Sequence, residues 1–203
     1  MTLGKRAVDL GCAVAGLLIL APLFAVISLS VLLDGGPPVL FRQERVGRGG
    51  GRFLLWKFRT MVVGADRLGG LLTVGRDPRV TRVGRVLRAS KLDELPQLFN
   101  VLTGKMSLVG PRPEVPRYVA LYDDAQRRVL QLTPGITDPA SIVYRNETQL
   151  LGMSADPETT YTKEVMPHKI EINLAYARHA TLSSDFAVIV RTVLSLFSAQ
   201  TAS

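Results

Sequence analysis

The sequence predicts an α+β fold that is mostly helical: a re-entrant membrane helix-break-helix, followed by a compact domain with short strands and interfacial amphipathic helices. Three observations lead to this prediction. No charged residue occurs from Leu10 to Leu33, short aromatic and apolar runs bounded by glycine and proline follow, and helical patterns dominate the second half. The 203 residues suffice for one domain with an anchor.

The net charge of +8 favours an anionic partner, namely nucleic acid, anionic lipid or a phosphorylated substrate. Cys12 is the single cysteine, so the chain has no internal disulfide and no thiolate zinc site. The two histidines, His168 and His179, lack the spacing of a metal-ligand pair. Any metal ion is therefore expected to be a hard cation bound by oxygen, such as Mg²⁺.

The apolar N-terminal segment is interrupted by Pro22, which removes a backbone donor and predicts a break in the helix. Each arm is then too short to cross a bilayer core of about 30 Å. Lys5 and Arg6 precede the segment and several arginines follow it, which favours a re-entrant pair with both ends in the cytoplasm. A kinked spanning helix and a cleaved signal peptide are the alternatives. We assign 1–34 to the membrane segment and 35–203 to a cytoplasmic domain.

Two short strands are predicted after the apolar segment, at Val39–Phe41 and Phe53–Met61, joined by the glycine-rich loop Gly47–Gly51. Side chains alternate between the two faces of a strand, so Lys57 and Arg59 share one face. These two cations are candidates for binding phosphates or lipid headgroups. An ordinary half-buried strand with a basic outer face is the alternative.

Helical patterns predict a helix over Pro116–Leu132 and another over Ser184–Phe197 near the C-terminus. The cluster Pro134–Pro139 between them is predicted to be a turn. The C-terminal helix is too short and too polar to span a membrane. It therefore either packs on the domain or lies in the membrane interface.

Two adjacent carboxylates, Asp93 and Glu94, lie in a strongly basic region. Cations recur at every third position before them: Arg76, Arg79, Arg82, Arg85, Arg88 and Lys91. A period of three fits neither a strand face nor one helix stripe, so some of these cations must be solvated. An acid pair in cationic surroundings suits a site that handles phosphate, where a carboxylate attacks phosphorus or holds a metal ion. In the alternative, Asp93 is a helix N-cap and Glu94 a first-turn acid.

Five motifs occur in order along the chain. They are Lys57–Met61, Asp77–Gly84, Leu92–Gln97, Met106–Pro113 and Pro134–Thr137. In this set and order the sequence resembles the bacterial sugar transferase family, the monotopic phosphoglycosyl transferases, over nearly its whole length. The absence of large N-terminal additions resembles the small, minimal members of that family.

The resemblance implies transfer of a sugar 1-phosphate from a UDP-sugar to polyprenyl (undecaprenyl) phosphate, with release of UMP, at the cytoplasmic face of the bacterial inner membrane. It implies Asp93 as the nucleophile that forms a covalent phosphosugar ester, and Glu94 as a ligand of Mg²⁺. Arg112 corresponds to a phosphate-binding arginine, a role that suits its planar guanidinium. Arg88 and Arg145 are implied for phosphate and nucleotide contacts respectively. The implied partners are UDP-sugar, polyprenyl phosphate and membrane lipids.

Two positions depart from the family pattern. Ala21 stands before Pro22 where the family commonly has serine, and Lys105 replaces the usual acid. Other classes explain less of the sequence. A nucleic-acid-binding protein would share the positive charge, but it would not explain the acid pair, and no recognisable binding module is present, so nucleic acid is not an expected partner. A membrane scaffold would explain the apolar segment but not five polar motifs.

Overall fold

The structure, a computed structural model, describes residues 2–65, 68, 72 and 77–198. It begins with helices α1 (Leu3–Ile19) and α2 (Ala21–Gly35), which meet with a bend of 62°. Pro22 lies in the first turn of α2, where its missing N–H costs no helical hydrogen bond. In the described part of the chain no single helix is long and apolar enough to span a membrane, although the bent pair together is. The predicted break is confirmed.

Two small sheets follow the helix pair. β1 (Leu40–Val46) and β2 (Arg52–Phe58) form an antiparallel hairpin, and β3 (Ser107–Val109) pairs in parallel with β4 (Gly135–Thr137). The other helices are α3 (Arg82–Ser90), α4 (Gln97–Leu102), α5 (Pro116–Val119), α6 (Pro139–Val143), α7 (Glu147–Gly152), α8 (Pro157–Thr160), α9 (Met166–Ala177) and α10 (Leu182–Ser198). Short 3-10 segments cover Arg48–Gly50, Leu92–Glu94 and Gln126–Gln131, and a π-helical turn covers Tyr161–Val165.

Three clusters of buried apolar side chains form the interior. The largest lies among β1, α5, α7 and α9 and includes Val46, Tyr118, Leu151, Tyr161 and Ile170. The second joins α1 to β2 and α4 through Ala13, Phe53, Leu55 and Val101. The third joins α2 to β2 and α3 through Ile27, Val31, Phe58 and Leu87. The N-terminal helix pair is thus part of two of these clusters.

Polar contacts fasten both ends of the helix pair to the domain. In α1, Lys5 and Arg6 donate to main-chain carbonyls of residues 101–109, and Asp9 accepts from a backbone amide of the same segment. At the end of α2, Asp34 accepts from a backbone amide in the first turn of α3, at 2.9 Å. The beginning of α1 and the end of α2 therefore lie on the same folded domain. The other face of both helices exposes large apolar side chains.

The predicted helix over Pro116–Leu132 is wrong, because the structure divides this segment. α5 covers only its first residues, and a 3-10 turn covers Gln126–Gln131. The division has a local cause: the Asp123 carboxylate accepts from the backbone amide of Gln126 at 2.7 Å, and the Gln126 side chain accepts from the amide of Asp123 at 3.1 Å. This reciprocal capping box starts a new turn at Asp123.

The hairpin strands also differ from their predicted limits. β1 extends to Val46, and β2 ends at Phe58 rather than Met61. The chain leaves the hairpin because the Arg59 side chain turns to the carbonyls that follow α2. Met61 instead forms an isolated bridge with Val80.

The predicted C-terminal helix is present as α10. Its cap is Thr181, whose hydroxyl accepts from the backbone amide of Ser184 at 3.1 Å, rather than the Ser-Ser-Asp cluster. One face of α10 packs against β3, β4 and α6. Another face exposes Leu182, Phe186, Val193 and Leu194. The helix therefore packs on the domain and also presents an apolar surface.

Candidate active site

The acid pair lies in a tight turn between two helices. After α3 ends, Lys91 adopts a φ of 58°, in the left-handed region, and Asp93 and Glu94 lie in the 3-10 turn that follows. α4 begins only at Gln97, and no side chain caps its first turn. The alternative in which Asp93 is a helix N-cap is therefore wrong. The turn directs both carboxylates inward, leaving Asp93 6% and Glu94 9% exposed.

Both oxygens of Glu94 are held by cations. Arg112 donates to each oxygen, with Nη1 2.9 Å from Oε2, and the Nζ of Lys57 lies 3.0 Å from Oε1. Burial alone would raise the pKa of Glu94, but Arg112 and Lys57 together hold it well below its usual range. Such a two-pronged pair fixes the planes of both groups. Glu94 is therefore ionised and positioned by two basic side chains.

The neighbouring carboxylate of Asp93 is in a different state. Its Oδ1 atom is buried and has no hydrogen-bond partner. Burial raises the pKa of Asp93, and the positive charge of Lys57 opposes that rise. Burial in turn lowers the pKa of Lys57. Of the two adjacent acids, Asp93 is thus the one with a carboxylate oxygen that no protein group pairs.

Arg112 reaches the acid pair because two backbone segments cross closely. A Cβ on Gly110 would lie 2.3 Å from the carbonyl oxygen of Thr133, and a Cβ on Gly135 would lie 2.1 Å from the amide nitrogen of Gly110. Only glycine permits this approach. The Gly-Pro-Arg-Pro motif and the Pro-Gly-Ile-Thr motif therefore work together to direct Arg112 towards Glu94.

A cavity of about 540 Å³ opens beside the acid pair. What we call the charged end is lined by Lys57, Arg88, Asp93, Glu94 and Arg112. What we call the tyrosine chamber is lined by Tyr118, Tyr122, Tyr161, Ile170 and Asn173. The cavity thus joins a cluster of ionised groups to an aromatic compartment, as in many sites for small molecules with a charged part and a ring.

The other predicted cations have three different positions. Arg88 lines the charged end and its Nε donates to the hydroxyl of Thr60 at 2.8 Å. Arg59 is buried and donates to the two carbonyls directly after α2, at 2.5 and 2.9 Å, so it holds that turn. Arg145 lies in the turn between α6 and α7 and is not among the described residues that line the cavity. The structure therefore brings Arg88, but not Arg145, to the acid pair.

The cations that recur at every third position before the acid pair also differ in their surroundings. Arg79 forms an ion pair with Asp77 at 2.6 Å. Arg82 and Arg85 are exposed on α3, which confirms that part of the series is solvated. Arg76 lies outside the described residues.

A buried network beside the charged end was missed from the sequence. Arg45 bonds to the Pro113 carbonyl at 3.0 Å and pairs with Glu114 at 3.2 Å, and the hydroxyl of Tyr161 donates to the other oxygen of Glu114. Burial and the Glu114 charge raise the pKa of Tyr161 well above its usual range. In the sequence, Arg45 is one of the arginines that follow the apolar segment. The acid directly after the Pro-Arg-Pro motif was the available signal, since an acid beside a buried loop needs a partner.

Comparison with known proteins identifies the family. A family model described as Bacterial sugar transferase matches residues 1–199. The chain belongs to the bacterial sugar transferase family. The family predicted from the five motifs is confirmed, and with it the prediction of a transferase.

Three curated relatives of this chain carry informative names. A UDP-glucose:undecaprenyl-phosphate glucose-1-phosphate transferase of Caulobacter vibrioides is 37% identical over 98% of this chain and 72% of the relative. A UDP-N-acetylgalactosamine-undecaprenyl-phosphate N-acetylgalactosaminephosphotransferase of Aeromonas hydrophila is 35% identical over 97% of this chain and 45% of the relative. An Escherichia coli protein with the same name as the Caulobacter relative is 37% identical over 95% of this chain and 40% of the relative. The chain thus spans between two fifths and three quarters of the length of these relatives.

Proposed function

We propose that this protein transfers a sugar 1-phosphate from a UDP-sugar to undecaprenyl phosphate and releases UMP, through a covalent aspartyl phosphosugar. The observation that carries the proposal is the buried, unpartnered Oδ1 of Asp93 in a cavity lined by Lys57, Arg88 and Arg112. The names of the relatives support the two substrate classes.

In the first step, a carboxylate oxygen of Asp93 attacks the phosphorus that bears the sugar. The bond from that phosphorus to the bridging oxygen of the diphosphate breaks, and UMP leaves with the bonding electrons. An ionised carboxylate needs no general base for this attack. Burial raises the pKa of Asp93, which makes its carboxylate a more basic nucleophile than an exposed one.

In the second step, an oxygen of undecaprenyl phosphate attacks the same phosphorus. The bond to Asp93 breaks, the carboxylate is restored, and the lipid diphosphate sugar is formed. The acceptor phosphate is already anionic, so this step also proceeds without a base. Two displacements at one phosphorus explain why a single open carboxylate suffices.

The cations of the charged end offset the repulsion between the carboxylate and the substrate phosphates. Arg112 offers a planar fork suited to two phosphate oxygens, and Lys57 offers a compact charge. In the structure both cations bind Glu94, which keeps them in place at the cavity wall. Glu94 therefore acts by positioning Arg112 and Lys57 beside Asp93.

Mg²⁺ is compatible with the oxygen donors of this acid pair, and it commonly binds through one or two carboxylates together with substrate phosphates. Among the described residues, no three Asp, Glu, His or Cys side chains are grouped as a complete metal site. Glu94 would hold the ion while it shares its carboxylate with Arg112 and Lys57, which leaves Asp93 to attack phosphorus. When bound, the ion supplies positive charge that stabilises the transferring phosphate. Activity is expected to be lost in EDTA and restored by Mg²⁺, and full activity after thorough chelation would exclude this role.

We also propose that the helix pair is re-entrant in the bacterial inner membrane, with the domain on the cytoplasmic face. At 1.5 Å per residue and a bend of 62°, its apex lies only about 12 Å from the line that joins its ends. That depth is less than half of a bilayer core of about 30 Å. Contacts of Lys5 and Asp34 with the same domain support an arrangement in which both ends lie on one side. The apolar face of α10 suits the same membrane surface.

Thiol labelling tests this topology. Single cysteines are placed at Thr2 and at Arg48 in a Cys12→Ala background, and intact cells are treated with an impermeant thiol reagent. Both sites are expected to be protected until the cells are permeabilised. Labelling of the Thr2 site from outside, with the Arg48 site protected, would instead establish a spanning helix.

The activity itself is tested with purified protein, a panel of UDP-sugars and undecaprenyl phosphate. At least one UDP-sugar is expected to give acceptor-dependent turnover, with UMP and lipid diphosphate sugar formed in equal amounts. Release of UDP instead of UMP would indicate transfer of the sugar without its phosphate and would contradict the proposal.

A further inference from the structure

The tyrosine chamber contains a buried polar atom that the protein itself does not satisfy. Asn173 lies on α9, lines the chamber and is 5% exposed. Its Oδ1 atom is buried and has no hydrogen-bond partner. A buried carbonyl oxygen without a donor is destabilising, and native structures leave few of them. An atom of this kind in a cavity wall indicates that a ligand supplies the missing donor.

Two of the tyrosines around Asn173 already donate their hydroxyls to carboxylates of the protein. Tyr161 donates to Glu114, and Tyr118 donates to Glu158 at 3.0 Å. The rings of Tyr118 and Tyr161 lie 5.0 Å apart between centroids. The chamber wall therefore combines ring surfaces with a buried amide oxygen that no protein group pairs, a combination that suits a flat or cyclic group oriented by a specific hydrogen bond.

The position of the chamber indicates which substrate enters it. Its tyrosines belong to the largest apolar cluster, whose described members come from β1, α5, α7, α9 and their neighbouring turns and include none from α1 or α2. The helix pair instead packs against β2, α3 and α4. In the re-entrant arrangement proposed above, the lipid acceptor approaches from the helix pair, so the chamber suits the water-soluble substrate.

We propose that Asn173 is a specificity-determining residue: its Oδ1 accepts a hydrogen bond from an N–H or O–H group of the nucleotide sugar held in the tyrosine chamber. The inference rests on the proposed function, because it assumes a UDP-sugar with its diphosphate at the charged end. Two groups of such a ligand offer this donor, the N3–H of uracil and a hydroxyl or acetamido N–H of the sugar. A site built to accept a hydrogen bond discriminates strongly against ligands that lack the donor.

The test is Asn173→Leu, which keeps the approximate size of the side chain and removes the acceptor. The dissociation constants of UDP-glucose and UDP-N-acetylgalactosamine are measured by calorimetry on full-length protein that carries Asp93→Asn, so that the nucleotide sugar is bound and not consumed. Glu171→Ala in the same background, an exposed position on the same helix, is the control. Affinity for at least one of the two is expected to fall about tenfold to a hundredfold in Asn173→Leu and to be unchanged in Glu171→Ala.

Thermal stability separates binding from a structural role. Removing an unsatisfied buried acceptor is expected to leave the Tm of the ligand-free protein unchanged or raise it. A fall in Tm with unchanged affinity would show that Asn173 is structural and would overturn the proposal. Should Asn173→Leu fail to fold, Asn173→Ser is measured instead; it shortens the acceptor and is expected to weaken binding at least severalfold, and unchanged affinity would again overturn the proposal.

UDP without a sugar distinguishes the two donors. If Asn173→Leu weakens the binding of UDP and of the UDP-sugar equally, the uracil contacts Asn173. If it weakens the binding of the UDP-sugar alone, the sugar contacts Asn173. Unchanged affinity for both ligands contradicts the inference. The proposed function fails separately, when the unmodified protein neither binds a UDP-sugar nor releases UMP.

Discussion

At the charged end of the cavity, Glu94 pairs with Arg112 and Lys57, and one buried carboxylate oxygen of Asp93 has no partner. In the tyrosine chamber, the hydroxyls of Tyr118 and Tyr161 donate to carboxylates, and the buried amide oxygen of Asn173 has no partner. At both ends, polar side chains are paired within the protein and one buried oxygen has no partner, but that oxygen belongs to a carboxylate at one end and to an amide at the other. The difference indicates a division of roles, with bond making at the charged end and recognition in the chamber. Substitutions at the charged end should therefore act mainly on kcat, and those in the chamber on KM.

The largest effect is expected from Asp93→Asn, which keeps the size of the side chain and removes the nucleophilic charge. Turnover should fall by about 10³-fold or more. Because the Asp93 charge is buried and its Oδ1 unpartnered, the Tm should not fall. Turnover measured by UMP release, together with a thermal melt, checks both statements. A fall in Tm alongside the loss of activity would show that Asp93 also supports the fold.

Glu94→Gln, unlike Asp93→Asn, should lower the free energy of unfolding. It leaves Arg112 and Lys57, which are partly buried, beside a neutral amide. Breaking a fully buried ion pair costs about 3–5 kcal/mol, so the loss here is expected to be about 2–3 kcal/mol. The control is Glu44→Gln, which removes an exposed pair with Arg52 and should cost less than about 1 kcal/mol. Denaturant unfolding of both variants measures the difference. Equal costs would contradict the positioning role of Glu94.

Tyr161→Phe tests the chamber. It removes a hydroxyl that donates to Glu114 and leaves a buried carboxylate oxygen with one partner fewer, so the free energy of unfolding should fall by about 1–2 kcal/mol. KM for the UDP-sugar should rise, while kcat should stay within a few-fold. A large fall in kcat with unchanged KM would contradict the separation of the two ends.

The smallest expected effect is a change in the pH profile. Burial raises the pKa of Asp93 above its ordinary 3.8, and Lys57 opposes that rise. Activity requires the ionised carboxylate, so the acid limb of kcat/KM should lie above pH 3.8, with activity lost as the pH falls through it. Lys57→Met removes the opposing charge and should move the limb to higher pH. If the acid limb of kcat/KM lies at the same pH in Lys57→Met as in the unmodified protein, ionisation of Asp93 does not determine it.

Features encoded within one short segment were predictable from the sequence. The break at Pro22 and the acid pair of Asp93 and Glu94 are local, and both are present in the structure. The Asp123–Gln126 capping box is also local, but the apolar periodicity around it concealed the end of the helix.

Features assembled from distant segments were not predictable. The Glu94 pairs with Lys57 and Arg112 join three motifs that are separate along the chain. The Arg45–Glu114 pair depends on how β1 meets the loop after Arg112. Asn173 carries no signal at all in the sequence, because its importance lies in the absence of a partner within the folded protein.

A burst experiment tests the central claim, that Asp93 forms a covalent phosphosugar, most directly. Purified protein is mixed with a UDP-sugar that it turns over, without any lipid acceptor, quenched within one turnover and analysed for UMP and by peptide mass spectrometry. The account predicts about one UMP per active site and a phosphosugar on the peptide that contains Asp93, both lost in Asp93→Asn. No UMP before the acceptor is added, and no adduct at any time, would contradict it in favour of direct transfer.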